Sequence, residues 1–92
     1  MYRNLDLTAL RSFVAVAELG GVTRAASKLH LTQSAVSMQI KRMERSLDQM
    51  LLKRAGRSVE LTGQGEQLLA YGRRMVALND EAWGSLTCSQ FE

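Results

Sequence analysis

The stretch Thr32-Gln33-Ser34-Ala35-Val36-Ser37-Met38-Gln39-Ile40-Lys41-Arg42-Met43-Glu44-Arg45-Ser46-Leu47 constrains the fold most, because as a helix it has two incompatible faces. At about 100° per residue, Val36, Ile40, Met43 and Leu47 fall on one narrow stripe, the spacing of a helix buried along one side. Such a stripe demands a core to lie on. Opposite it fall Ser34, Ser37, Met38, Lys41 and Arg45, with Arg42 at the margin: small polar groups near the start, cations towards the end. Thr32 is placed to cap the first turn by accepting a bond from a free backbone N–H. Periodicity alone leaves two uses open. An ordinary surface helix, solvated outside and ending in cations that suit its dipole, has the same pattern as a helix that reads DNA.

The setting has to decide. Ninety-two residues suit one domain with a small core. No run of 18 apolar residues is present to span a membrane, and Met-Tyr-Arg-Asn-Leu-Asp lacks the apolar stretch of a signal peptide, so a cytoplasmic location is the default expectation. The one cysteine, Cys88, excludes an internal disulfide framework and a cysteine-based zinc site; it reads as an incidental thiol, with an intermolecular disulfide as the alternative. The net charge of +3 is unevenly spread. Residues 1–60 hold ten Lys/Arg against five Asp/Glu, and residues 61–92 hold two against four. A basic half that contains the candidate helix fits a polyanionic partner, because phosphate neutralisation with counterion release supplies much of nucleic-acid affinity. A solvated basic surface without a partner has the same composition.

The chain contains no proline and no low-complexity tract, so an extended internal linker is not expected. Leu7, Leu10, Phe13, Val14 and Ala17 recur at helical spacing, with Asp6 as cap and Gly20-Gly21 as stop: a scaffold helix over 6–19. Thr23 is read as the cap of a short helix from Arg24 to about His30, with Ala25, Ala26 and Leu29 inward. His30 has no second ligand at metal spacing and reads as a turn residue. Two helices so joined, the first short and alanine-rich and the second polar outside, make a helix-turn-helix.

Asp48 can adopt the left-handed conformation that closes a helix, ending the second near Leu47-Asp48. Met50-Leu51-Leu52-Lys53-Arg54 and Ser58-Val59-Glu60-Leu61 are read as a small hairpin turning at Gly56, with Arg54 and Arg57 at its tip; an exposed loop carrying two solvated arginines is the competing reading. Thr62 caps a final helix from Gly63 to about Ser85. Its apolar residues keep two registers, Leu68, Met75 and Ala82 with Leu69, Val76 and Trp83, while Gly72, Asn79 and Leu86 complete the seam. A helix this long on so small a domain cannot bury both stripes within one chain, which predicts a homodimer.

The order helix, Gly-Gly, Thr-Arg-Ala-Ala-Ser-Lys-Leu-His-Leu-Thr-Gln-Ser-Ala-Val-Ser-Met-Gln-Ile-Lys-Arg-Met-Glu, then Leu51-Leu52-Lys53-Arg54 and Leu61-Thr62-Gly63-Gln64-Gly65, resembles the N-terminal domain of LysR-type transcriptional regulators over roughly residues 5–86. The run Leu78-Asn79-Asp80-Glu81-Ala82 is similar to the subgroup of LrhA and HexA regulators. The resemblance implies a mainly α fold: a winged helix-turn-helix (1–62) and then a dimerising linker helix and chain end (63–92). It also implies an effector-binding domain beyond Glu92, through which alone a small-molecule effector would act and a tetramer become available. The chain is expected to be either an excised DNA-binding part or a truncated regulator.

In the family, DNA is met through positions matching Thr32, Gln33, Ser34, Ser37 and Met38, with the wing position matching Arg54 in or near the minor groove. Many members carry arginine at Met38, phenylalanine at Leu52 and glycine at Asp48. A methionine at 38 loses a charged contact and offers one to a thymine methyl.

The expected function is therefore sequence-specific binding of double-stranded DNA. Gln33, Ser34, Ser37 and Met38 would read bases, while Arg24, Thr32, Lys41, Arg42, Arg45, Arg54 and Arg57 would hold phosphates or the wing's groove. A protein-interaction module is the first rival and predicts no DNA affinity even at ~50 mM salt. An enzyme is the second, but a lone His, no nucleophile elbow and no metal spacing leave nothing to assemble into a site; no cofactor is implied. Gly63-Gln64-Gly65 lacks the strand context of a nucleotide-binding loop.

Overall fold

The computed structural model describes residues 3–88, in the order α1 (Leu7–Leu19), α2 (Val22–Leu29), α3 (Gln33–Leu47), β1 (Leu52–Ala55), β2 (Ser58–Leu61) and α4 (Gly63–Cys88). Local chemistry sets most boundaries. Asp6 caps α1, its carboxylate accepting from Thr8 N at 2.9 Å and Ala9 N at 3.3 Å, and Gly20 ends it in the left-handed region at φ 82°. His30 at φ 58° and Asp48 at φ 53° close α2 and α3 in the same way, so both are turn residues. At the start of α2 the expectation fails. Gly21 occupies the cap position and makes no side-chain bond, and Thr23 lies inside the helix; the chain begins to wind one residue after the glycine pair.

Leu10, Phe13 and Val16 of α1 are almost wholly buried, and α1 packs on α2, α3 and α4. Ala25 and Ala26 bring α2 close, and α3 contributes Val36, Ile40 and Met43. The fourth stripe residue, Leu47, is 38% exposed, because α3 runs out beyond the core at its C-terminal end. One polar pair sits among these contacts. The fully buried Ser12 hydroxyl donates to Gln39 Oε1, which fixes the rotation of α3 against α1.

The hairpin is shorter than expected. It pairs Leu52 with Leu61, Lys53 with Glu60, Arg54 with Val59 and Ala55 with Ser58, leaving Met50 and Leu51 outside the strand. Leu51 is 1% exposed: its side chain fills the core instead of joining the ladder. Gly56 turns at φ 64° and Arg57 beside it has no positive φ, the two-residue pattern with one left-handed position.

Thr62 Oγ1 accepts from Gly65 N at 3.0 Å and caps α4, which continues through Cys88, three residues past the expected end at Ser85. Residues 89–92 and the side chain of Cys88 lie outside the described residues. The α4 helix lies against α1, where Arg11 forks onto both oxygens of Asp80 (3.0 and 2.5 Å) and Arg73 Nε donates to Glu18 at 2.9 Å. The hydrogen bond from Arg11, with another from Asn79, holds the Asp80 carboxyl below its ordinary value. Gly72 makes the helices' close approach feasible, since a Cβ there would meet Val14 and Leu10 side chains at 3.0–3.1 Å.

Candidate nucleic-acid interface

The outward face of α3 collects the residues expected to read bases. Gln33 and Ser34 are exposed in the first turn, Ser37 is half-buried one turn on, and Met38 is 51% exposed beside it. Thr32 holds this end in place. Its Oγ1 accepts from Ala35 N at 3.0 Å, leaving the hydroxyl proton free to donate outward. Lys41, Arg42 and Arg45 are exposed along the same helix, and Arg24 is exposed on α2. Arg42 Nη2 lies 3.3 Å from Met38 Sδ, so the thioether steers a neighbouring cation as well as offering an apolar contact.

The hairpin stands beside α3. Arg54 is exposed on β1 one position before its end, and Arg57 occupies the turn itself. A groove between hairpin and helix is lined by Ser37, Ile40, Lys41, Leu52, Arg54 and Val59, so the two basic elements share one concave face. Two side chains at this face carry no assignment from sequence. Lys53 adds an exposed cation on β1, opposite Glu60. Glu44, half-buried on the shoulder of α3, reaches across to the backbone of the wing. An acid within an otherwise basic face was the available sign of the second.

The residues expected on a dimer seam divide. Leu68 and Gly72 are buried in the chain's own core, and Leu69 and Val76 pack against it, because they face α1. Asn79 is half-buried and donates to Asp80 Oδ1 at 3.1 Å. Met75, Ala82, Trp83 and Leu86 are exposed, Trp83 by 71% and Leu86 by 78%. Tyr71 and Leu78, not singled out by the heptad reading, are exposed as well and fall on the helical face of Met75 and Ala82. The free stripe is therefore Tyr71, Met75, Leu78, Ala82 and Leu86. Trp83 continues the line of Leu69 and Val76 beyond the point where Asp80 meets Arg11. Among the described residues no group of three His, Cys, Asp or Glu is placed to hold a metal ion, and no helix is long and apolar enough to cross a membrane.

A short helix, a left-handed turn, a second helix with a free polar face and a flanking basic hairpin define a winged helix-turn-helix, a DNA-binding class. The model of the bacterial regulatory helix-turn-helix proteins of the lysR family matches residues 7–66, and the chain belongs to that family. It is 46% identical over 84 residues to the HTH-type transcriptional regulator DgdR of Burkholderia cepacia, covering 91% of this chain and 29% of that protein. Identity is also 46% over 89 residues to the HTH-type transcriptional regulator PecT of Dickeya dadantii (strain 3937), covering 97% of this chain and 28% of that protein. The chain thus spans less than a third of these relatives. Among solved structures, the BenM DNA-binding domain in complex with catB site 1 DNA superposes with a TM-score of 0.84 at 33% identity, covering 92% of this chain and 96% of that one. The CbnR DNA-binding domain in its DNA complex gives 0.80 at 32%, covering 92% and 98%.

Proposed function

We propose that the chain binds a specific double-stranded DNA sequence as a homodimer and is the operator-reading part of a transcriptional regulator acting in the cytoplasm. The observation that carries this reading is the juxtaposition of the exposed face of α3 with the basic hairpin. Gln33 reads a base, since its amide can pair bidentately with adenine N6 and N7. Ser34 and Ser37 donate to base edges or phosphate, and Met38 meets a thymine methyl. Thr32, Arg24, Lys41, Arg42 and Arg45 hold phosphates, and Arg54 and Arg57 enter or flank the minor groove. The free stripe of α4, with Trp83 beyond it, takes a second copy. Two-fold symmetry then implies an interrupted inverted repeat with half-sites roughly 34–36 Å apart. The run Leu78–Ala82 supports placement in the LrhA and HexA subgroup, and a longer chain would add the effector-binding domain and any tetramer contacts.

Site selection from a random duplex library tests the base-reading assignment. Gln33→Ala should flatten the selected motif at one position per half-site, costing ~1–3 kcal/mol of discrimination there. An unchanged motif removes Gln33 from base reading. Lys41→Ala should weaken binding to selected and random duplexes alike and lower the slope of log K against log salt by about one per subunit. A slope equal to wild type would show that Lys41 touches no phosphate.

A further inference from the structure

Glu44 is the one acid in α3, and it sits between Lys41 and Arg45. A helix that meets a polyanion through its cations gains nothing electrostatically from a carboxylate there. Its geometry supplies another reason for it. Glu44 Oε2 accepts from Leu51 N at 2.8 Å and from Leu52 N at 3.2 Å, two charge-assisted bonds to the segment that opens β1. The same segment is gripped from the other side. The Leu51 carbonyl accepts from Thr62 N at 3.0 Å, and Thr62 Oγ1 donates to Met50 O at 2.5 Å. Through β2 the hairpin packs on α1 and α4, whereas its hydrogen bonds to α3 among the described residues are those of Glu44.

We infer that Glu44 is a positioning residue for DNA recognition, setting the wing against the reading helix so that Gln33–Met38 and Arg54 reach one duplex together; this rests on the DNA-reading function proposed above. The carboxylate touches backbone, not DNA. Its effect passes through the wing, and removing it leaves the α3 face intact while freeing the hairpin to take up other positions. The wing arginines then contribute less to the specific complex.

A double-mutant cycle by fluorescence anisotropy tests this, using the 92-residue chain, a duplex recovered by site selection with it, and a shuffled duplex of equal length. Glu44→Ala should bind the selected duplex about tenfold more weakly, within the range of coupling for residues in one hydrogen-bond network, and the shuffled duplex no more weakly than wild type does. Glu44→Gln keeps the accepting oxygen and should stay near wild type on both. The loss caused by Arg54→Ala should shrink in the Glu44→Ala background.

Tighter binding of both duplexes by both Glu44 variants would overturn the inference, leaving Glu44 a repelling charge only. Equal Arg54→Ala losses in the two backgrounds would overturn it too. Should melting show Glu44→Ala to be unfolded, Glu44→Asp, with its shorter reach, takes its place in the cycle with the same expectations. If wild type fails to distinguish the two duplexes, the DNA-reading proposal itself fails. Hydrogen exchange then judges the positioning contact: the Leu51 and Leu52 amides should exchange faster in Glu44→Ala and not in Glu44→Gln, and unchanged exchange rejects it.

Discussion

Gly65→Ala is expected to destabilise the protein by roughly 2–3 kcal/mol, the upper part of the range for overpacking and well above the ~1 kcal/mol that alanine gains over glycine in a helix. A Cβ at Gly65 would lie 2.1 Å from the Leu51 carbonyl oxygen and 3.2 Å from Leu61 Cδ2. The first of these is backbone and cannot swing aside. That carbonyl also accepts from Thr62 N, so displacing it disturbs the cap of α4 and the start of the wing together. The midpoint of thermal unfolding should fall by roughly 8–24 °C for a domain of this size. Gly63→Ala is the matched control, because a Cβ there meets nothing within 4 Å. Equal melting temperatures for the two variants would show that the first turn of α4 has room the geometry denies it.

The second large effect concerns association. Met75→Asp combined with Leu78→Asp places two charges on the free stripe of α4, at residues 39% and 63% exposed that take no part in the chain's own core. In the proposed homodimer these positions face the partner, and buried unpaired carboxylates there are costly. The double variant should sediment as a folded monomer. Its affinity for a duplex with both half-sites should drop by about 10²–10⁴, the advantage of linking two binding events, while a single half-site is bound much as before. A variant that remains dimeric would move the interface off this stripe.

Much of the fold was legible in short-range chemistry. Asp6, Thr32 and Thr62 cap helices because each oxygen stands two or three residues ahead of an unsatisfied N–H. Gly20, His30 and Asp48 end helices in the left-handed region. The stripe Val36, Ile40 and Met43 found the core, as its period required. Thr23 misled for a local reason as well: the glycine pair lets the chain wind immediately, leaving the threonine inside the turn it was expected to start.

The sequence by itself determined most helix boundaries, the start of α2 and the end of α4 excepted, and which face of α3 is buried and which residue types line the opposite face, because all of these depend on neighbours within about four residues. Only the tertiary structure decided which stripe of α4 is free. Seven-residue spacing is shared by Leu69, Val76 and Trp83 and by Leu68, Met75 and Ala82, and no local rule says which set meets α1. Contacts over long sequence separation settle it: Gly72 admits Leu10 and Val14, and Arg11 grips Asp80, turning Tyr71, Met75 and Leu78 outward. Glu44 follows the same logic, since its partners at Leu51 and Leu52 come within reach only after α3 has ended and the chain has turned back.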